Sequence, residues 1–125
     1  LRYIINVGTN IKTSLQSLEL SKSYPQTIPT LGIHPSSYED LEKIDILEDL
    51  VIKNPFKAIG EIGLDYYRDR APKELQQQVF RDQLSLAAEL DLPVIIHSRN
   101  ASAQDLQAFE DIMSILTEWV SVLND

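Results

Sequence analysis

The chain has 125 residues, with 11 Lys and Arg against 19 Asp and Glu, so its formal net charge is −8. This length allows one domain with a buried core, and the absence of Cys excludes disulfides, thiol nucleophiles and Cys-based zinc sites. The acidic balance disfavours binding to nucleic acid or to membranes through bulk charge. No apolar run approaches the roughly 20 residues of a membrane span, and no signal peptide is evident. We therefore expect a cytoplasmic protein with no membrane partner.

Strand-like and helix-like segments alternate along the chain. Apolar patterning predicts strands at 3–7, 28–33, 58–62 and 94–96, and helices at 13–24, 37–54, 72–90 and from 102 onward. The second helix is predicted to open on a capping box at 37–40, and the fourth on another at 102–105. The last strand has the composition of one buried on both faces. The order predicts α/β architecture with parallel strands and right-handed crossovers.

Two architectures fit this order of elements. One is a small open sheet with helices on both faces, and the other is about half of a (β/α)8 barrel, whose usual size is about 250 residues. Composition alone does not choose between them.

Three polar residues lie at or near the carboxyl ends of predicted strands. His34 follows the second strand, Glu61 lies in the third, and His97 follows the fourth. In a parallel sheet these ends share one edge, which hosts the active site in α/β folds. Adjacent strands lie about 4.8 Å apart, so Glu61 and His97 can converge if their strands are neighbours. A carboxylate and an imidazole suit a divalent metal such as Zn²⁺.

Simpler interpretations stand beside this one. A single His after an apolar run is usually a half-buried, hydrogen-bonded histidine, and His34 before Pro35 also suits a turn. The glycines on either side of Glu61 indicate close backbone approach, and a Glu at that depth needs a partner. Aromatic and Arg side chains alternate at 65–70 and could bind nucleic acid, but two Asp offset two Arg there, which favours a solvated loop. Arg99 could pair with an anionic substrate or an acidic neighbour.

Three ordered motifs resemble those of the TatD family of metal-dependent hydrolases. They are Gly32-Ile33-His34-Pro35, Ile59-Gly60-Glu61-Ile62-Gly63-Leu64-Asp65-Tyr66 and Leu92-Pro93-Val94-Ile95-Ile96-His97-Ser98-Arg99. The segment 6–10 and the helix around 78–90 also resemble that family. The resemblance implies a TIM-type (β/α)8 barrel with one or two divalent metal ions (Zn, Mg or Mn), which hydrolyses phosphodiester bonds, typically as a deoxyribonuclease with DNA as substrate.

The resemblance also implies roles for individual residues. Glu61 matches a metal-bridging carboxylate, His97 a metal-binding histidine, and His34 a catalytic residue near the scissile phosphate. Three further residues match motif positions and are predicted to bind substrate: Asp65, Tyr66 and Arg99.

Other motifs of that family do not occur in this sequence. The opening His-x-His pair, a later His-Cys-Phe-type motif and a Glu-Thr-Asp-type motif are missing, and His34 and His97 are the only histidines. We therefore expect a single partial domain over 1–125, made of the second to fifth βα units of a barrel. This fragment is expected to be weakly active or inactive alone and to self-associate through its open edges. The alternatives are an amidohydrolase-type enzyme for C–N or ester bonds, and a non-catalytic α/β module that binds a partner.

Overall fold

The computed structural model describes residues 2–123, in which four strands alternate with four helices. In chain order the elements are β1 (Ile4–Asn6), α1 (Ile11–Ser23), β2 (Thr27–Leu31), α2 (Ile44–Lys53), β3 (Ala58–Asp65), α3 (Lys73–Leu90), β4 (Val94–Arg99) and α4 (Gln107–Leu123). The order predicted from the sequence is confirmed. The predicted domain also contains Leu1, Asn124 and Asp125, which lie outside the described residues. Within 2–123, no helix combines the length and the apolar character needed to cross a bilayer.

All four strands are parallel and lie in the order β1-β2-β3-β4. They curl as half of a barrel with helices packed against them, so the half-barrel describes the chain and the open sheet does not. Between β3 and β4 the register shifts around the cis peptide bond Gly60–Glu61, and beyond it Gly63 pairs with His97 and Asp65 with Arg99. The end of β3 and the end of β4 therefore lie side by side.

The core lies between the strands and the helices, and α3 is its central helix. Phe80 and Leu84 of α3 are fully buried in one cluster with Ile59 and Ile62 of β3. Burying an apolar side chain of this size contributes about 1.5–3 kcal/mol relative to exposure. This packing fixes α3 against β3, the strand that carries the central motif.

The capping box predicted at 37–40 does not open a helix. That segment forms successive turns, and α2 begins only at Ile44. The reason is that the capping side chains are used elsewhere: Ser37 Oγ donates to the carbonyl of Thr9 at 2.8 Å, and Asp40 Oδ2 accepts from the N–H of Ile11 at 2.8 Å. The loop after β2 thus supports the start of α1 instead of starting its own helix.

The capping box predicted at 102–105 is also wrong, because α4 begins at Gln107. Ser102 and Asp105 form a short bridge, and the Asp105 carboxylate accepts from the N–H of Gln107 at 3.0 Å. The acidic residue at the end of the motif is therefore the one that bonds the first turn of the helix.

The strand β4 was expected to be buried on both faces, but its apolar residues 94–96 are only half-buried. It is an edge strand in the part of the chain that the structure describes, with β3 as its only neighbour. An edge strand lacks the cover that a central strand receives on its second side.

Candidate metal site

His34, Glu61 and His97 come together in the structure. His34 lies just beyond β2 and Glu61 lies within β3, whereas His97, which was expected to follow the fourth strand, lies within β4 because that strand extends to Arg99. One potential ligand atom from each lies within 4.8 Å of the other two. His34 is 5% exposed, whereas Glu61 and His97 are half-buried. The expected convergence of Glu61 and His97 from neighbouring strands is present in the structure, and His34 joins the same cluster.

The glycines around Glu61 allow β3 and β4 to approach closely. A Cβ atom at Gly60 would lie 2.6 Å from the Cβ of Ile95, and one at Gly63 would overlap the carbonyl oxygen of His97. Gly63 also has φ +143°, which side-chain-bearing residues rarely adopt. The close backbone approach predicted from these glycines is confirmed, and it places Glu61 beside His97.

Two buried glutamines of α3 hold the backbone next to the site residues. Gln83 accepts from the N–H of Ile33 at 2.8 Å and donates to its carbonyl at 3.1 Å, immediately before His34. Gln76 accepts from the N–H of Asp65 at 2.9 Å and donates to its carbonyl at 3.3 Å. Neither glutamine was assigned a role from the sequence. The sequence feature that could have indicated such a role is a pair of amide side chains seven residues apart on the apolar face of a helix. A buried amide requires hydrogen-bond partners.

The imidazole of His97 lies between two carboxylates. Its Nδ1 is 3.2 Å from Glu61 Oε1, and its Nε2 is 2.9 Å from Asp65 Oδ2. The Asp65 side chain has no exposed surface. Burial raises the pKa of Asp65, but hydrogen bonds from the Arg68 N–H and from His97 lower it by more, so the net shift is downward. Asp65 is therefore an ionised acceptor beneath His97.

The donor set suits a divalent metal. If His97 Nε2–H donates to Asp65, the lone pair of Nδ1 faces the carboxylate oxygen of Glu61. Two electron-pair donors at this distance are stabilised by a cation between or beside them, and nitrogen with oxygen ligands suits Zn²⁺ in particular. A histidine that ligates a metal also commonly donates its other ring N–H to a carboxylate.

His34 packs against His97, with 4.2 Å between the ring centroids. Its Nδ1 accepts from the backbone N–H of Ser36 at 3.0 Å, and the Ser36 hydroxyl lies 2.7 Å from the same atom. Burial is the main cause that lowers the pKa of His34 to about 4, and neighbouring His97 lowers it further. His34 is therefore a neutral imidazole at neutral pH.

The three residues expected to bind substrate lie in different surroundings. Asp65 is buried against His97, and Tyr66 lies away from the cluster, where its hydroxyl donates to Asp111 of α4 at 2.6 Å. Arg99 is exposed, with its guanidinium carbon 3.9 Å from the ring centroid of Tyr67. The structure thus brings Asp65 to the cluster, leaves Arg99 open to solvent and places Tyr66 between helices.

Fold and site together define a class: parallel βα-barrel proteins with polar groups, suited to a metal, at the carboxyl ends of their strands. A family model described as "TatD related DNase" matches residues 1–122. The chain belongs to this family, and the resemblance seen in its motifs is confirmed.

Curated relatives agree with this assignment. The uncharacterized metal-dependent hydrolase YabD of Bacillus subtilis is 37% identical over 117 residues, which cover 92% of this chain and 43% of that protein. The 3'-5' ssDNA/RNA exonuclease TatD of Salmonella typhimurium is 36% identical over 118 residues, covering 93% and 43% respectively. The chain therefore spans less than half the length of these relatives.

A solved structure has the same fold. The crystal structure of YjjV, a TatD homologue from Escherichia coli K12, matches with a TM-score of 0.70 at 29% identity, over 92% of this chain and 54% of that chain. That neighbour is a TIM barrel, so the predicted fold class is confirmed.

Proposed function

We propose that this chain supplies part of the active site of a metal-dependent phosphodiesterase that acts on nucleic acid. The observation that carries the proposal is the convergence of His34, Glu61 and His97, whose potential ligand atoms lie within 4.8 Å of one another. The relatives named as ssDNA/RNA exonucleases support DNA or RNA as the substrate class.

In this proposal Glu61 and His97 hold a divalent ion (Zn²⁺, Mg²⁺ or Mn²⁺), with a second ion in a complete barrel. A bound ion would supply Lewis-acid stabilisation of phosphate charge and a more acidic water. His34, neutral and buried beside His97, lies where a phosphate held at the cluster would meet it. Because the ring is shielded from solvent, it can orient that phosphate without competition from water.

Arg99 is proposed to contact the nucleic acid beyond the cluster. It pairs in register with Asp65, two positions beyond His97, and stacks on Tyr67, which is 58% exposed. An exposed guanidinium suits a phosphate, and an exposed aromatic ring suits a base. The net charge of −8 disfavours the binding of nucleic acid through the electric field of the whole molecule. The local positive charge of Arg99 offsets this effect at its own position.

Removal of Glu61 tests the metal centre. Glu61→Gln keeps the size of the side chain but removes its charge. We therefore expect the metal affinity measured by calorimetry to fall by about 100-fold or more, because mutation of groups that only hydrogen-bond to metal ligands already lowers affinity by up to about 100-fold. Hydrolysis of single-stranded DNA should fall with it. Glu48→Gln, on the exposed face of α2, is the matched control. Unchanged metal affinity in Glu61→Gln would contradict the proposal.

The 125-residue chain by itself is proposed to be weakly active. Glu61 and His97 are two ligands, whereas a catalytic zinc usually has three protein ligands. Robust nuclease activity of the isolated chain, abolished by Glu61→Ala, would show that this part of the proposal is wrong. A panel that compares DNA ends with dipeptides and esters separates phosphodiester hydrolysis from amidohydrolase-type chemistry.

We also propose that copies of this chain associate through the open side of the half-barrel. The edge strand β4 is half-buried, and α4 exposes a set of apolar side chains. Those at least 47% exposed are Phe109, Met113, Val120, Val122 and Leu123. Unpaired strand edges and exposed apolar faces are typical sites of association.

A further inference from the structure

Each histidine of the cluster has one ring nitrogen already engaged by a protein group. His97 Nε2 lies 2.9 Å from Asp65 Oδ2, and His34 Nδ1 lies 3.0 Å from the backbone nitrogen of Ser36. A neutral imidazole carries its proton on one nitrogen and a lone pair on the other. The partner of the engaged nitrogen therefore decides what the other nitrogen can do.

At His97 the partner is an acceptor. The buried carboxylate of Asp65 also accepts from the Arg68 N–H at 2.8 Å through Oδ1. Its Oδ2, the atom that faces His97, also lies 3.5 Å from the Arg68 guanidinium, so both carboxylate oxygens receive donors and Nε2 of His97 carries the hydrogen of this bond. The lone pair is left on Nδ1, the atom that lies 3.2 Å from Glu61 Oε1.

At His34 the partner is a donor. A backbone N–H cannot accept, so the contact from Ser36 requires a lone pair on His34 Nδ1. The proton of the neutral ring is then on Nε2, which becomes a hydrogen-bond donor. A nitrogen that carries a proton cannot ligate a metal, since ligation requires the lone pair.

We infer that Asp65 and the Ser36 amide are positioning groups that give the two histidines opposite tasks: His97 offers Nδ1 to the metal, and His34 offers Nε2–H to an anionic substrate oxygen. This inference rests on the proposed function and refines it, because the three-residue cluster then contains only two metal ligands. Asp65, expected from the resemblance to contact substrate, acts through His97.

Nitrogen-15 NMR of the imidazoles reports directly which ring nitrogen of each histidine carries the proton. We expect long-range ¹H–¹⁵N spectra at about pH 8 to show His34 protonated on Nε2 with and without Zn²⁺. With Zn²⁺, His97 should be protonated on Nε2 and shifted at Nδ1. Signals are assigned with His34→Gln and His97→Gln. Zinc on a nitrogen of His34, or on Nε2 of His97, overturns the inference.

Asp65→Asn provides an isosteric test. The Arg68 N–H keeps the amide oxygen at the Oδ1 position, so the amide NH₂ faces His97 and donates to Nε2. His97 is then protonated on Nδ1, and we expect zinc affinity to fall by about 10- to 100-fold without loss of folding. Asp69→Asn, in the same loop and exposed, is the control. Ser36→Ala should keep the His34 proton on Nε2, because the backbone donor remains.

The outcomes separate this inference from the proposed function. If Glu61→Gln does not weaken zinc binding, the metal centre itself is wrong. If Glu61→Gln weakens zinc binding but Asp65→Asn retains both wild-type affinity and the Nε2–H form of His97, only the inference about Asp65 fails. Zinc affinity should be unchanged in His34→Gln. A loss of zinc affinity in this variant as large as that in Glu61→Gln would show that His34 is a metal ligand and would overturn the inference.

Discussion

Two consecutive residues at the end of β3 have separate tasks. Asp65 bonds His97 in the neighbouring strand, whereas the Tyr66 hydroxyl donates to Asp111 in α4 and accepts from Gln77 in α3. Burial, with the nearby Asp111, raises the pKa of Tyr66, so its hydroxyl stays protonated and donating at neutral pH. We therefore propose that Tyr66 fastens α4 to the end of β3 rather than contacting substrate.

Removal of the Tyr66 hydroxyl tests this assignment. Tyr66→Phe should lower the free energy of unfolding by about 2 kcal/mol, since it deletes a hydrogen bond to a charged acceptor, and zinc affinity should be unchanged. Urea denaturation and calorimetry measure the two quantities. Tyr67→Phe, at an exposed ring, should change neither stability nor zinc affinity. A selective loss of DNA binding in Tyr66→Phe with normal stability would instead favour the substrate role.

At the scale of elements, α3 connects the core to the site. One face of this helix buries apolar side chains, and the same face carries Gln76 and Gln83, which bond the backbone beside Asp65 and His34. Backbone groups that lack a strand partner are satisfied by these amides. The helix thus stabilises the core and also sets the positions of the strand ends.

Replacement of Gln83 separates these two contributions. Gln83→Leu keeps an apolar side chain in the core but leaves the N–H and carbonyl of Ile33 without partners, which should cost about 2–4 kcal/mol. The imidazole signals of His34 should shift as well. Gln78→Leu, exposed on the same helix, is the control for both measurements. Wild-type stability in Gln83→Leu would contradict the role assigned to this side chain.

The start of α1 depends on a carboxylate from the loop after β2. Asp40 accepts from the N–H of Ile11 and pairs with Lys43 at 3.0 Å. Burial raises the pKa of Asp40, but these two contacts lower it by more, and the net shift is downward. A depressed carboxyl pKa contributes stability above the unfolded value, and that contribution is lost as pH falls through the folded pKa.

Asp40→Asn should therefore be less stable than the wild type at neutral pH, by about 1 kcal/mol. The difference should shrink as pH falls below about 4, where the unfolded carboxyl becomes protonated. Urea denaturation across this pH range measures it. Glu42→Gln, in the same loop and exposed, should show no such pH-dependent difference. A difference that persists unchanged at acid pH would exclude the ionised contact as its source.

At the scale of the whole molecule, the described part of the chain is half of a barrel. Its edge strand β4 is paired on one side, and the neighbouring helix α4 exposes apolar side chains. In the family fold the strands close on one another, which removes such edges. The proposal of association between copies follows from this surface.

Sedimentation over a range of concentrations tests that association. We expect the chain to form dimers or larger species, and Val120→Lys on α4 to shift it toward the monomer by placing a charge on the apolar face. Ile46→Lys, exposed on α2, should have no such effect. A compact monomer at every concentration, with a cooperative unfolding transition, would falsify association through this face.

The elements that could be predicted are those governed by local pattern. Apolar periodicity located all four strands and helices, and the positions of Glu61 and His97 near the ends of successive strands indicated that these two side chains could converge. The start of α2 could not be predicted from local pattern, because Ser37 bonds Thr9 and Asp40 bonds the first residue of α1, nearly 30 residues earlier in the chain. The roles of Gln76 and Gln83 could not be predicted from the sequence either, because their hydrogen-bond partners are distant in the chain and meet α3 only after folding.

The sequence by itself determined the alternation of strands and helices, the family and the set of polar residues at the strand ends. These follow from short-range pattern and from motifs that are contiguous in the chain. Only the tertiary structure decided that Asp65 lies beneath His97, that Ser36 donates to His34 and that Tyr66 points to α4. Such pairings depend on strand register and on the hydrogen-bond partners that burial demands, and neither is encoded at a single position.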